Sequence, residues 1–136
     1  MMPISEDRII ERFGRETFRK GKDYYNKGKV LIAFLDGGLL QGYVKGKRVY
    51  KANVSLSGLS NKCSCPLGGN CEHVVALLLF YLSDEVIDIP KLREKLMKRS
   101  KDELIDIILK AVKEEEILPL VEKDENGIKL SSILRA

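Results

Sequence analysis

Eleven residues confine what this chain can fold into. They read Cys63-Ser64-Cys65-Pro66-Leu67-Gly68-Gly69-Asn70-Cys71-Glu72-His73, and they hold all three cysteines and the only histidine of the 136-residue sequence. The pattern C-x-C-x5-C-x-H is the ligand set of one tetrahedral zinc ion. In extended backbone the side chains at i and i+2 share a face, so Cys63 and Cys65 can present two sulfurs from the end of a strand. Pro66 cannot donate a ladder hydrogen bond, and the strand is expected to stop there. Gly68, Gly69 and Asn70 tolerate the dihedrals of a tight return that brings Cys71 and His73 beside the first pair. The apolar run Val74 to Leu82 begins at once. His73 therefore falls in the first turn of a helix, with Cys71 just before it or at its cap, where the dipole favours a thiolate.

Three other readings compete. A disulfide scaffold wants an even number of cysteines, and three is odd. A Cys71–His73 catalytic dyad leaves Cys63 and Cys65 without a role. Coincidence has to place four scarce ligand residues within eleven positions, with turn formers between them.

C-x-C-xn-C-x-H is also the signature of the SWIM zinc finger, and the chain resembles that family beyond the ligands. Gly21, Tyr25, Gly28 and Val30 match its glycine-aromatic-glycine-valine lead-in, and Val74-Val75-Ala76-Leu77-Leu78 its apolar helix, over roughly residues 8 to 83. The resemblance implies an interaction module for DNA and protein. Free-standing members resemble recombination mediators that pair with RecA-type recombinase paralogs. The expectation that follows is an accessory subunit in DNA recombination or repair, its partners DNA and a protein of recombinase type. The alternative is a protein–protein adaptor with a structural zinc and no DNA binding.

The expected fold is α+β, divided into a zinc module (1–83) and a C-terminal helical extension (84–136). Ser5 is a candidate N-cap, with Glu6 and Asp7 in the first turn. A helical region should run to about Lys27 and end at Gly28. Ile9, Phe13, Thr17 and Tyr24 fall on one side of it. Arg8, Arg12, Arg15, Arg19 and Lys22 fall on the other, as a stripe that either contacts nucleic-acid phosphates or is simply the solvated face. Gly14 and Gly21 lie near the apolar side, where they let a sheet approach closely or mark a break between two helices.

Three antiparallel strands are expected next: a buried one over Lys29 to Leu35, then Leu39 to Lys45, then Val49 to Leu56 with Tyr50, Ala52, Val54 and Leu56 on one face. Tyr24, Tyr25, Tyr43 and Tyr50 suit core or rim positions better than base stacking. The helix after His73 is apolar almost all round and should be central, covering the sheet. Beyond Ser83-Asp84-Glu85, a short helix should begin at Asp88-Ile89-Pro90. A capping box at Ser100-Lys101-Asp102-Glu103 should open an amphipathic helix to about Glu116. Its apolar side, with Leu104, Ile108, Ala111 and Val112, is the candidate partner-binding surface, continued by Ile117, Leu118, Leu120, Val121, Ile128, Ile133 and Leu134.

Charge is uneven along the chain. Residues 1–60 hold 12 Lys+Arg against 6 Asp+Glu, net +6; residues 61–136 hold 12 against 14, net −2. This difference fits two partners of opposite character, or ordinary surface variation. Met1 to Arg12 lacks the apolar core of a signal peptide. The nine residues of Val74–Leu82 are too few to cross a bilayer. Thiolate ligands imply a reducing compartment, cytoplasmic or nuclear. With every cysteine and the histidine assigned to a closed four-ligand site, no catalytic constellation remains. A non-enzyme without a small-molecule substrate is expected.

Overall fold

The computed structural model describes residues 3–113. Two compact units divide at Leu92/Arg93, Met1–Leu92 and Arg93–Ala136. This lies nine residues (92 − 83) past the division expected from composition.

Ser5 caps the first helix as its sequence predicts: its extended backbone lets Oγ accept the Arg8 N–H at 3.1 Å. The N-terminal helical region is two helices, α1 (Glu6–Phe13) and α2 (Arg15–Asn26). The break is Gly14, at φ 90°, a dihedral that an L side chain resists. Of the two roles the sequence allows Gly14, the structure shows the break between two helices, and the basic stripe is divided at it. The inward side follows the sequence reading, with Ile9 buried and Phe13, Thr17 and Tyr24 half-buried.

Strands β1 (Val30–Asp36), β2 (Leu39–Lys45) and β3 (Val49–Ser55) form an antiparallel meander. Two short strands join it, β4 (Asn61–Cys63) antiparallel to β3 and β5 (Ile87–Asp88) parallel to β1. The sheet is therefore five-stranded and mixed, in order β4-β3-β2-β1-β5, where three antiparallel strands were expected. On β3 the alternation holds: Ala52 and Val54 are buried and Tyr50 half-buried, with Leu56 buried just beyond the strand. On β1 only one face is buried. Val30 and Ala33 point into the core, but Leu31 is 53% exposed, so the continuous apolar run does not mark a strand covered on both sides.

Helix α3 (Glu72–Ser83) is the centre of this unit. Its residues His73 to Leu79 are all buried. It packs on the inner face of β1, β2 and β3 with one side and on α1 and α2 with the other. An α-helix enclosed in this way must be apolar all round, which is why its sequence has almost no amphipathic period. The close approach at Gly21 is made by α3, not by the sheet. A Cβ there would lie 2.5 Å from the Val75 Cβ and 2.9 Å from the Glu72 carbonyl oxygen.

Helix α4 (Ile89–Met97) is opened by Asp88, whose Oδ1 accepts the Lys91 N–H at 3.1 Å. Pro90 is its second residue. Helix α5 (Lys101–Lys113) has the expected capping box: the Glu103 N–H donates to Ser100 Oγ at 3.1 Å and the Ser100 N–H to Glu103 Oε1 at 3.0 Å. None of the α5 residues is buried; Leu104, Ala111 and Val112 are half-buried and Ile108 is exposed. The expected continuation of this helix to Glu116, the break at Pro119, the Asn126-Gly127 turn and the apolar residues from Ile117 to Leu134 lie outside the described residues.

Candidate metal centre

The four predicted ligands converge. One ligand atom from each of Cys63, Cys65, Cys71 and His73 lies within 4.8 Å of the other three, and all four residues are buried. Zn–S bonds of about 2.3 Å and Zn–N bonds of about 2.0–2.1 Å put tetrahedral ligands roughly 3.5–3.8 Å apart. Cys63 Sγ and His73 Nδ1 stand 3.8 Å apart. The residues present fit one zinc ion.

Local sequence explains each position. Cys63 ends β4, so the strand stops three residues before Pro66. The Cys63 N–H donates to the Gly68 carbonyl at 3.0 Å and the Gly68 N–H to the Cys65 carbonyl at 2.9 Å, which folds the segment 63–68 back on itself. On the other side Ser64 is tied to β3: its N–H donates to the Lys51 carbonyl at 3.0 Å, and its Oγ accepts the Lys51 N–H at 2.9 Å. Cys71 is the N-cap of α3, in extended backbone, and His73 lies in the first turn.

The thiols are not equivalent. Cys71 is lowered to about 4, chiefly by its hydrogen bond with Cys63, with His73 and the Val74 N–H adding to it against the opposing effect of burial. Cys63 moves upward, because its proton is held against Cys71 and burial disfavours its thiolate.

The sequence did not single out the supports of this site. His73 sits between two tyrosine rings, Tyr24 of α2 edge-on at 5.1 Å and Tyr50 of β3 tilted at 4.7 Å. Burial first, then the Glu72 carboxylate, hold the Tyr24 phenol above its ordinary range, so it stays neutral. Gly46, in the β2–β3 turn, leaves room for the imidazole: a Cβ there would lie 3.2 Å from His73 Nε2 and 2.8 Å from Tyr50 Cε2. Since Nε2 faces Gly46, Nδ1 is the nitrogen turned to the cysteines. Asn61 holds the return loop. Its Oδ1 accepts the Asn70 N–H at 2.6 Å, and its amide nitrogen donates to Asn70 Oδ1 and the Leu59 carbonyl, each at 3.0 Å. Asn70 itself sits at φ 50°, a conformation asparagine tolerates better than most residues. The sequence reading places Tyr24 and Tyr50 at core or rim and Asn70 in the return loop, but does not join them to His73 or name Asn61.

The basic candidates differ in their partners. Arg8 is half-buried and donates to the Ser57 carbonyl at 2.6 Å. Lys22 pairs with Glu6 at 3.5 Å, linking α2 to α1. Arg12, Arg15 and Arg19 are exposed, on either side of the Gly14 break, and none has an ion pair among the described residues. Of the other tyrosines, Tyr25 donates to Asp84 Oδ2 at 2.6 Å and Tyr43 lies half-buried on β2.

The family model of the SWIM zinc finger matches residues 48–82, from just before β3 through the four ligands to the last turn of α3. The lead-in residues Gly21, Tyr25, Gly28 and Val30 lie upstream of that match. An uncharacterized protein of Methanocaldococcus jannaschii is 26% identical over 101 residues, which is 74% of this chain and 44% of the relative. The chain thus spans less than half the length of that relative. No solved structure matches. The family match and the buried Cys3His set together support one structural zinc held by Cys63, Cys65, Cys71 and His73. No helix among the described residues is long and apolar enough to cross a membrane.

Proposed function

We propose that this chain is a zinc-stabilised accessory subunit in DNA recombination or repair, which binds DNA and a protein partner of the RecA-type recombinase class and catalyses no reaction itself. The zinc carries no chemistry in this reading: four protein ligands leave no open position for substrate, so the ion's role is to fix the junction of β4 and α3. The observation that supports DNA binding is the set of exposed arginines, Arg12, Arg15 and Arg19, without ion pairs among the described residues. Exposed guanidiniums of this kind suit phosphate oxygens.

The test is the salt dependence of binding to a DNA duplex. Each phosphate contact contributes a log–log slope of about −0.9, so changing Arg12, Arg15 and Arg19 to alanine should flatten the slope by roughly 2–3 and weaken all sequences alike. A triple variant that binds like the unaltered protein returns these arginines to a solvated helix face.

The adaptor reading without DNA is favoured by a different observation. Helix α5 exposes Ile105, Ile107, Ile108 and Leu109, each 43–46%. An apolar helix surface with so little cover among the described residues is a feature of docking segments. Absence of any salt-dependent DNA binding, with capture of a purified recombinase-type partner retained, decides for that reading.

A further inference from the structure

Beside the metal centre is a recess of about 380 Å³ lined by Asp23, Tyr24, Lys27, Lys29, Lys45, Gly46 and Lys47. Its lysines come from three places in the chain: the end of α2, the entry to β1, and the end of β2 with the turn that follows it. The Lys45 N–H donates to the Lys29 carbonyl at 2.8 Å, so two of the contributing segments are joined by backbone. Four cations meet one carboxylate, a net of +3, and that carboxylate is occupied, since Asp23 pairs with Lys27 at 3.0 Å. Lys29, Lys45 and Lys47 have no ion pair among the described residues. Like charges gathered at one concavity repel one another and focus the field on whatever enters it.

Two walls of the recess are also walls of the zinc site. Tyr24 packs against His73, and Gly46 is the residue that His73 Nε2 faces. A second concavity, lined by Phe18, Arg19, Lys20, Lys22, Asp23, Tyr24, Asn26 and Glu72, shares Asp23 and Tyr24 with the first. A basic path therefore runs from Arg19 past Tyr24 to Lys47. It is anchored on the ligand cluster, where nothing in the cysteine–histidine pattern announces it.

We propose that the lysine recess of Lys29, Lys45 and Lys47 is a seat for the phosphodiester backbone of DNA. This rests on the DNA-binding reading above and gives it a second, different set of residues. A backbone seat made of lysines has point charges without the planar fork that reads a base edge, so it should contribute affinity and register, with no sequence preference.

The experiment compares a labelled mixed-sequence duplex bound by the full chain, by K29Q/K45Q/K47Q, and by a charge-matched control, K95Q/K98Q/K101Q, across a range of salt. Zinc content is measured on each to confirm an intact centre. The expected result is that the recess variant flattens the log–log slope by about 2–3 while the control keeps the unaltered slope. If the unaltered protein shows the slope and the recess variant matches it, or the control flattens it equally, the recess assignment is overturned and DNA binding stands. If the unaltered protein shows no salt-dependent binding to DNA, the function proposed above falls with it. Competition by a glutamate-rich peptide as effective as that of DNA, charge for charge, overturns the assignment in favour of an acidic protein partner.

Discussion

Replacing Gly21 by alanine tests whether α2 and α3 meet backbone to backbone, the contact that sets the first turn of α3 and with it Cys71 and His73. In an open helix this change stabilises by about 1 kcal/mol, because glycine is the poorer helix former. Here the new methyl would lie 2.5 Å from the Val75 Cβ and 2.9 Å from the Glu72 carbonyl oxygen. Carbon–carbon contacts are optimal at about 3.5–4.0 Å, so the shortfall is roughly 1 Å. Neither neighbour can yield: one is the branch point of a valine with stiff χ1, the other is backbone. The helices must part, and overpacking of this kind costs about 1–3 kcal/mol. Set against the helix gain of about 1 kcal/mol, the expected net effect is a loss of up to about 2 kcal/mol. For a domain of this size that corresponds to about 4–8 °C in Tm per kcal/mol. The assay is urea unfolding followed by circular dichroism at fixed free zinc, because bound metal itself shifts apparent stability. Val75→Ala supplies the control. It removes Val75 Cγ1 from the crowded contact while Cβ and the Glu72 carbonyl stay, so relief is partial and the double variant should be more stable than the sum of the two single changes by about 0.5 kcal/mol or more. A Gly21→Ala variant more stable than the unaltered protein, or strict additivity with Val75→Ala, refutes the close contact.

Three further outcomes are expected. Gly46→Ala drives a methyl against His73 Nε2 and Tyr50; it should weaken zinc retention against a chelator while leaving secondary structure intact, and unchanged retention would show that Gly46 does not set the imidazole. Asn61→Ala removes the bonds to Asn70 and Leu59, at about 0.5–1.5 kcal/mol each; zinc release should quicken, while Asn61→Asp, which keeps the Oδ1 acceptor for Asn70 N–H, should restore part of the loss. The third concerns pH. Glu103 is held below its ordinary value by the Ser100 backbone N–H first, then by Arg99. A lowered folded-state pKa means that this capping contribution is complete above the ordinary value of 4.5 and is lost as pH falls through the lowered one. Amide signals of α5 followed by NMR should shift in that window, and in Arg99→Ala, which removes the second of these partners, the Glu103 carboxyl should titrate closer to its ordinary value.

The ligand set was legible because cysteine and histidine are scarce here and no other position competes for the role. The three long strands were legible from turn residues at their ends, Asp36-Gly37-Gly38 above all, and the central helix from its lack of a polar face. What escaped has physical reasons. Strands β4 and β5 have three and two residues, too few for an alternation to appear, and β5 exists only because β1 offers it an edge. The periodicity that joined Arg8 to Lys22 assumed one helix, and a single positive φ at Gly14 ended it. The supports of His73 come from α2, β3 and the β2–β3 turn, residues 24, 46 and 50. Their convergence on residue 73 is a property of the fold, and no local spacing encodes it. The lysine recess was hidden for the same reason.

A closed zinc site is tested most directly by metal content together with coordination. X-ray absorption at the zinc edge, with elemental analysis of undenatured protein, should give one zinc per chain bound by three sulfurs and one nitrogen. Structural zinc contributes on the order of 10–16 kcal/mol in small finger peptides, so chelation should melt the β4–α3 junction. A chain with no stoichiometric metal, or a first shell containing oxygen in place of one of the four ligands, would contradict the account.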